Sequence, residues 1–439
     1  MAVMTSLAER IDILESSEAG KEVWRISRRL GWRPSTIRKW RNRGRKLGRA
    51  GLVSHMGRPA KGALSSFSQE LRDTLLRWRQ EHPGWGPKTL RKELEKHPAF
   101  AGKELPAPSS IGRFLAEKGL SKRYERHQAL PKEAKPEGLP HEVWEMDAQG
   151  YQFIPDVGQV SLINFNDRGS HLRLLSYPCW LGHKRVERHA QTSDYQMALR
   201  LAFTDWGLPQ ALQVDHESVF YDNKSKSPFP TQLHLWLIAL GVSLRFGRHG
   251  QPTDQGMTER SHQLWDNQVI QGATFTDWQA LYDALYQRRD FLNSILPCAS
   301  LDNQPPLAAY PQANHSGHPY RLEWEAELLD LKRIDVYLGQ GRWFRRVGSN
   351  GVISLGGTMY YVSTKWKQQQ IEIKFDPDIR QFQCFDATAE LLKTFPLKGV
   401  SVESLMGDVF PLCHFPVFQL ALPFSWEEQK VIRLYEIAK

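Results

Sequence analysis

Apolar residues recur at helical spacing in three short segments of the first 46 residues. The third segment, PSTIRKWRNRGRK, starts with Pro34, which suits a first helical turn, and places Ile37 and Trp40 on one inward side. Its other side is basic and consists of Arg38, Lys39, Arg41, Arg43 and Arg45. A helix of this kind fits the DNA major groove, where arginines reach guanine edges and phosphates. Residues 1–50 are therefore predicted to form a helix-turn-helix DNA-binding domain, and a structural bundle with a basic face is the alternative.

The same helical pattern returns after a short basic segment. Residues 51–65 are rich in Gly, Ser and basic residues, which is typical of a linker, and Arg58 within them is suited to the DNA minor groove. Residues 66–125 again contain three apolar-periodic segments and are predicted to form a second helix-turn-helix domain, with Lys88, Arg91 and Lys92 as candidate DNA contacts. Residues 126–140 are basic and proline-containing, so a second linker is predicted there.

From residue 141 the pattern changes to alternating strands and helices. Three consecutive strands, VWEMDAQ, VSLINFND and HLRLLSYPCW, are followed by a helix, the buried strand ALQVD, a helix, the strand VSLRFG and a long helix at about 254–271. This order is that of the RNase H-like core. Residues 141–300 are accordingly predicted to form an α/β catalytic core of that type.

The remaining chain has a different pattern. Residues 301–342 are predicted to be a connector, and residues 343–400 contain short alternating strands with Gly-rich turns, which favour a small β-barrel. Residues 401–439 form a tail in which Ser425 and Glu428 make a capping box before an amphipathic helix. The predicted fold is thus multidomain α/β, with N-terminal all-α helix-turn-helix modules, a central RNase H-like core and a C-terminal small β-barrel.

Charge and composition limit the functional classes. Residues 1–140 contain 30 Lys and Arg against 15 Asp and Glu, whereas the rest contains 28 against 33. A basic arm joined to a mildly acidic body favours nucleic-acid binding by one end, although a solvated surface is the simpler alternative. The four cysteines lie far apart without a C-x-x-C pair, which argues against zinc sites and disulfide scaffolds. The chain has neither a membrane-spanning apolar run nor a signal peptide, so a cytoplasmic, nucleoid-associated protein is expected.

Two aspartates occupy strands that should be neighbours in the sheet. Asp147 lies in the first strand and Asp215 ends the fourth predicted strand, with 67 residues between them. An RNase H-like sheet places these two strands side by side, which brings the aspartates together. Cleavage and joining of polynucleotides uses two divalent cations about 3.5–4 Å apart, which require several converging carboxylates.

The third carboxylate must come from the following helix. Met257, Leu264, Trp265 and Val269 share one side of it, while Glu259, His262, Gln263 and Asp266 share another. Glu259 lies in the first turn, beside the sheet edge. Asp266 lies about 10 Å further along the axis and is the poorer ligand. Asp254 precedes the helix and is better suited to capping it.

The segments WEMDAQG, LQVDHES and RFGRHGQPTDQGMTERSHQ resemble, in order and local context, the DDE transposases of bacterial insertion sequences and the retroviral integrases. The layout of two helix-turn-helix units and a C-terminal barrel is similar as well. This resemblance implies Asp147, Asp215 and Glu259 as catalytic ligands of two Mg²⁺ or Mn²⁺ ions. It also implies recognition of element ends by the N-terminal modules.

The sequence departs from that family at two points. The gap between Asp215 and Glu259 holds 43 residues, longer than usual, and YDNKSKSPFP is the expected additional loop. His216 and Glu217 replace the usual small or amide residue and glycine, which leaves open whether Glu217 crowds the metals or faces away. Asp167 is expected to be a turn residue, and four residues bordering the site are candidates for phosphate contacts: Arg248, His249, Arg260 and His262.

These expectations combine into a DNA transposase that frees a 3′-OH at an element end and joins it to target DNA. Its partners would be double-stranded DNA, as element ends and as target, and further copies of the chain in an oligomer. Whether an accessory ATPase takes part is left open, and no membrane partner is expected. The alternatives are a domesticated DNA-binding protein without strand transfer and an RNase H-like nuclease that cuts without joining.

Overall fold

The computed structural model of the chain describes residues 5–53, 62–121, 137–222, 225–247 and 256–409, with the backbone alone for 256–259. Internal contacts divide the chain into two units, Met1–Ser68 and Gln69–Lys439. The predicted tail helix after Ser425 lies outside the described residues. None of the helices in the described ranges is long and apolar enough to cross a membrane.

The described part of the first unit is a small helical domain, as predicted. Its helices are α1 (Leu7–Glu18), α2 (Val23–Leu30) and α3 (Pro34–Leu47). Ser6 and Glu9 form a capping box before α1, and Gly31 ends α2 with a positive φ of 73° that only glycine adopts at low cost. The interior is built from apolar residues of all three helices and the turn after α3, namely Ile13, Leu14, Ile26, Ile37, Trp40 and Leu52.

A second group of three helices begins the second unit. These are α4 (Gln69–Glu81), α5 (Pro87–Lys96) and α6 (Pro108–Glu117). A proline at the first helical position starts both α5 and α6, where its missing N–H costs nothing. The helices bury Leu71, Leu75, Leu90, Leu94, Ile111, Phe114 and Leu115. The three helices expected between residues 66 and 125 are confirmed.

A mixed sheet forms the centre of the second unit. Its strands are β1 (Val143–Ala148), β2 (Gln152–Ile154), β3 (Gly158–Asp167), β4 (Arg173–Gly182), β5 (Ala211–Val214) and β6 (Ser243–Phe246). The order is β2-β3-β1-β5-β6, and β4 pairs with β3. Strands β1, β3 and β4 are antiparallel, whereas β5 and β6 run parallel to β1. This arrangement confirms the integrase-like strand order and adds the short β2 hairpin, which the sequence did not indicate.

Helices follow the strands on both faces of this sheet. They are α7 (Thr192–Trp206), α8 (Gln232–Ala239), α9 (Gly256–Trp265) and α10 (Trp278–Ser294). Phe203 of α7 packs between Trp144 of β1 and Trp236 of α8, with ring centroids 5.7 and 6.0 Å away. The long helix expected at about 254–271 is instead α9 followed by a π-helical turn, Asp266–Ile270.

The connector and the C-terminal strands pack onto this core. The short helices are α11 (Pro306–Ala309), α12 (Glu325–Leu328), α13 (Leu331–Gly339) and α14 (Val402–Met406). The strands are β7 (Arg342–Arg346), β8 (Val352–Leu355), β9 (Thr358–Tyr361), β10 (Gln370–Asp376), β11 (Gln381–Phe385) and β12 (Leu391–Pro396).

The predicted closed β-barrel is not what the described strands form. Strands β12-β11-β10-β7 make one antiparallel sheet, and β8-β9 make a separate hairpin. The hairpin turns at Gly356 and Gly357, both with positive φ, so β8 and β9 pair with each other. Side-chain packing, with Tyr360 against Phe382 and Phe395, joins the two sheets where a closed barrel would have a backbone ladder.

Candidate active site

The strands that carry Asp147 and Asp215 are direct neighbours. Strand β1 runs parallel to β5 with Val143 opposite Ala211 and Glu145 opposite Gln213. Continuing this register by two residues places Asp147 level with Asp215, on the same face because side chains alternate along a strand. Both residues are half-buried. The predicted adjacency of the two strands is confirmed, and it sets two carboxylates at the carboxyl end of a parallel pair.

The face of the sheet that bears Asp147 is polar far into the interior. Asn164 of β3 lies directly opposite Asp147, and Ser176 of β4 lies opposite Asn164. Two pairs further along, and so on the same face, Glu145 lies opposite Asn166. The asparagines are fully buried. Sequence reasoning missed this row, although its signal was present: an asparagine at every second position of a buried strand is unusual, because such side chains must be hydrogen-bonded.

Helix α9 covers this polar face. The hydroxyl of Ser261 donates a hydrogen bond of 3.0 Å to Oδ1 of Asn166, and Nε2 of His262 lies 3.5 Å from Oδ2 of Asp147. Glu259 is in the first turn of α9, three residues before His262, and positions three apart share a helix face. For Glu259 the structure describes the backbone and not the side chain. Asp254 lies outside the described residues.

Asp266 is bound by side chains from the loop after β1 and from the start of β2. Gln149 Nε2 donates to both of its carboxylate oxygens at 3.0 and 2.9 Å, and Gln152 Nε2 donates to Oδ1 at 2.9 Å. These amide donors stabilise the carboxylate and fasten the loop to the end of α9. Asp266 therefore has a structural task, which agrees with its lower rank as a ligand.

Glu217 turns towards helix α7. Its Oε2 accepts a hydrogen bond of 2.6 Å from the hydroxyl of Tyr195, and its backbone N–H donates to Oδ1 of Asp215 at 3.0 Å. Burial raises the pKa of the Glu217 carboxyl, the Tyr195 hydrogen bond opposes this, and the charge of Asp215 adds to it. The open question about Glu217 thus has a structural answer: its carboxylate is engaged by Tyr195 while its backbone orients Asp215.

Asp167, predicted as a turn residue, is the last residue of β3, and the turn starts directly after it. Its Oδ1 accepts a hydrogen bond of 2.9 Å from the backbone of His141, and its Oδ2 accepts one from the hydroxyl of Ser170. The side chain is fully buried, and burial raises the pKa of its carboxyl despite these hydrogen bonds.

Residues 36–115 match a family model described as a homeodomain-like domain. Together with the integrase-like strand order, this match supports the resemblance to the transposase and integrase superfamily. Two solved structures are similar in part. The HTLV-2 integrase catalytic core domain in complex with magnesium is 12% identical, covers 39% of this chain and 97% of its own, and has a TM-score of 0.29. The simian T-cell lymphotropic virus intasome in complex with PP2A regulatory subunit B56 gamma is 13% identical, covers 71% of this chain and 97% of its own, and has a TM-score of 0.30. TM-scores this low support no conclusion about the residues of the site.

The basic residues proposed as DNA contacts fall into three groups. In α3, Arg38, Lys39 and Arg45 are exposed while Arg41 and Arg43 are half-buried, and Arg43 lies over the ring of Trp40 at 5.5 Å. In α5 the charges have partners within the protein: Lys88 donates to Asn303 at 2.8 Å, and Arg91 and Lys92 pair with Glu95 at 3.2 and 2.7 Å. Arg58, Arg248 and His249 lie outside the described residues.

Arg260 follows Glu259 on α9 but points to a different feature. With Gln263 and Leu264 of the same helix and Asn267 of the following π-helical turn, it lines a cavity of about 380 Å³ beside the end of α10. Arg173 and His171 also line this cavity. Within the described residues, no three His, Cys, Asp or Glu side chains cluster closely enough to hold a metal ion. The side chain of Glu259 lies outside the described part of the chain.

Proposed function

We propose that this chain is a DNA strand transferase of the transposase type, which binds the ends of a DNA element, cleaves at their 3′ ends and joins them to target DNA. The single observation that carries the proposal is the register of β1 and β5, which brings Asp147 and Asp215 level at one edge of an integrase-like sheet. Glu259, on the helix that crosses this edge, is proposed as the third carboxylate.

The residues at the edge fit hard divalent cations. Asp147 and Asp215 supply carboxylate oxygens, the ligands that Mg²⁺ and Mn²⁺ prefer, and the buried Asn164 Oδ1 beside Asp147 is an acceptor that no described group satisfies. Asp147, Asp215 and Glu259 would hold two such ions. When bound, the ions supply charge that favours the deprotonated attacking oxygen and stabilises the leaving oxygen.

The chain's own residues position the reacting groups. The Glu217 backbone N–H holds one oxygen of Asp215, which fixes the rotation of that carboxylate. His262, 3.5 Å from Asp147, lies where a phosphate or the attacking water would approach. In the first step a water oxygen bonds to phosphorus and the 3′ oxygen leaves with a proton. In the second step this 3′-OH attacks a target phosphodiester, whose own 3′ oxygen is displaced.

DNA recognition is proposed for the N-terminal helices. The exposed Arg38, Lys39 and Arg45 of α3 give one helix a basic outer side, which suits phosphate and guanine contacts in the major groove. Joining two element ends to one target requires at least two active sites near each other. A homo-oligomer assembled on DNA is therefore part of the proposal.

The test uses the purified full chain, a DNA fragment containing the flanking sequences of its gene, a target plasmid and Mg²⁺ or Mn²⁺. We expect 3′-end cleavage and joined products that require the cation and are lost in Asp215→Asn. Asp266→Asn is the control, because its carboxylate is bound by two glutamines and should be dispensable for chemistry. Cutting without joining would instead establish a nuclease. Binding without cutting would contradict the catalytic proposal.

A further inference from the structure

Asn164 has a buried oxygen without a partner in the described part of the chain. Its side chain is fully buried; among the described residues its Oδ1 accepts no hydrogen bond, and its Nδ2 makes a long contact of 3.4 Å with the carbonyl of Leu162. An unsatisfied buried acceptor costs stability, so its presence at one defined position calls for a reason.

The side-chain oxygen of the neighbouring asparagine on the same strand face has partners, although its Nδ2 has none among the described residues. Asn166 Oδ1 accepts hydrogen bonds of 3.0 Å from Arg173 and 3.0 Å from Ser261. Helix α9 and strand β4 thus supply donors to Asn166 but none to Oδ1 of Asn164. The difference between the two is position, because Asn164 is the residue directly opposite Asp147.

The pairing of Asn164 with Asp147 brings their side chains within reach of a common ligand. Directly opposed residues of antiparallel strands have Cβ atoms about 5 Å apart, and their side chains lie on the same face of the sheet. An amide oxygen and a carboxylate at that separation can face one hydrated divalent cation. Asn164 Oδ1 carries no formal charge, so it adds an acceptor oxygen without adding repulsion to the carboxylates.

We propose that Asn164 is a positioning residue of the divalent-cation site. Its neutral Oδ1 would accept a hydrogen bond from a water molecule of the hydrated cation beside Asp147. The inference rests on the proposed function, since it assumes that Asp147 holds a cation. It assigns a reason to the unsatisfied oxygen: the apo protein tolerates it because the cation-bound state uses it. Groups next to metal ligands commonly tune affinity in this way.

The experiment measures Mn²⁺ binding to the full chain by isothermal titration calorimetry, together with the thermal midpoint of each cation-free protein. Asn164→Leu keeps the branched shape but removes the oxygen, and we expect Mn²⁺ affinity to fall by about tenfold. The cation-free midpoint should stay equal or rise, because the unsatisfied acceptor is gone. Asn164→Asp retains an oxygen and should bind Mn²⁺ at least as tightly as the natural chain.

Ser176→Ala is the matched control. Ser176 is buried on the same face, its hydroxyl also lacks a partner among the described residues, and it lies two strands from Asp147, roughly 10 Å away. We expect its Mn²⁺ affinity to stay within about twofold of the natural value, well below the effect of a residue beside the ligands. Equal effects of Asn164→Leu and Ser176→Ala would overturn the proposal.

Asp147→Asn separates this inference from the function on which it rests. Loss of Mn²⁺ binding in Asp147→Asn with unchanged binding in Asn164→Leu overturns the role of Asn164 alone. Unchanged binding in Asp147→Asn contradicts the cation site itself. Should Asn164→Leu have a lowered cation-free midpoint, Asn164→Asp decides the matter: retained affinity supports the oxygen's role and lost affinity refutes it.

Discussion

The contact between Arg288 and Glu93 gives a sharp test of how the second helical group is attached to the core. Arg288 of α10 pairs with Glu93 of α5, and the two side chains are 11% and 14% exposed. Arg288 also donates to Gln268 Oε1 at 2.6 Å and lies over the ring of Trp85 at 4.5 Å. Burial lowers the pKa of the Arg288 guanidinium while Glu93 opposes the shift. One arginine thus joins α5, α10 and the π-helical turn after α9.

We expect Arg288→Met to release α5 from the core, because the mostly buried Glu93 carboxylate then keeps only the distant Lys96, at 3.8 Å, as a described partner. Removing one partner of a buried ion pair lowers stability by about 3–5 kcal/mol. Because both side chains keep some exposure to solvent, we expect a loss near the lower end, about 3 kcal/mol. Since about 1.4 kcal/mol is a factor of ten, the protection of α5 amides against hydrogen exchange should fall by about 100-fold. Mass-spectrometric hydrogen exchange of the full chain measures this directly.

Arg91→Met on the same helix is the control for that experiment. Its partner Glu95 and Arg91 itself are 35% and 36% exposed, so the loss should stay below about 1 kcal/mol. Replacing Glu93 by Leu in the Arg288→Met background should restore much of the protection, because no buried charge is then left unpaired. Unchanged protection of α5 in Arg288→Met would refute the reasoning.

Three further predictions concern separate contacts. Gly84→Ala should lower the protection of α5 in the same hydrogen-exchange measurement, because an added Cβ would lie 2.1 Å from the carbonyl oxygen of Asn267. Gly86→Ala is the control and should leave the protection unchanged, because no described heavy atom lies within 4 Å of its added Cβ. Phe229→Ala should cost about 3–5 kcal/mol and expose strands β7–β12 to limited proteolysis, because the ring packs against Trp343 and Phe382 with centroids 5.0 and 5.9 Å away; equal proteolysis rates would contradict this packing. Burial lowers the pKa of His234 to about 4, whereas the same side chain in the unfolded protein titrates near 6.5. Between these values protons bind the unfolded chain more tightly. The free energy of unfolding should therefore be about 2 kcal/mol lower at pH 5 than above about pH 6.5. His234→Phe should reduce this pH dependence of the thermal midpoint, and an identical dependence in that variant would count against the burial of the ring.

Local patterns in the sequence were sufficient to predict the helices and strands of the core and the neighbouring positions of the two strands that carry the aspartates. Helical spacing and Pro34 predicted α3, and strand order alone placed Asp147 beside Asp215, because a parallel β1-β5 pair follows from the order of strands and helices. Both inferences use interactions between residues near in sequence or the restricted topology of α/β sheets. The role of these aspartates in catalysis stays a prediction.

Features that depend on distant contacts were not predictable in the same way. The attachment of α5 to the core needs Trp85 to donate to the carbonyl of Gln268, and nothing local to either residue indicates the other. The C-terminal strands were predicted as a barrel because their spacing fits both a barrel and an open sheet. A barrel closes only if its two edge strands pair with each other. Here the turn at Gly356 and Gly357 makes β8 pair with β9 instead.

The polar row under α9 is an intermediate case. The alternation in SLINFND already placed Asn164 and Asn166 on one face, but apolar flanks made the segment read as an ordinary buried strand. Only the register with β1 puts Asn164 opposite Asp147. Buried polar residues at every second position of a strand beside a candidate carboxylate are therefore a signal worth following in other sequences.

The central claim is that Asp147, Asp215 and Glu259 together perform strand transfer, and joining of a pre-cleaved end tests it most directly. The assay supplies an element end that already carries its 3′-OH, a target plasmid and Mn²⁺, and compares Asp147→Asn, Asp215→Asn and Glu259→Gln with Asp266→Asn. We expect each of the first three variants to lose joining by at least about 100-fold, as an essential ligand of a catalytic cation would, while Asp266→Asn joins at a rate close to that of the natural chain. Joining that persists in Asp147→Asn or Asp215→Asn would contradict the account.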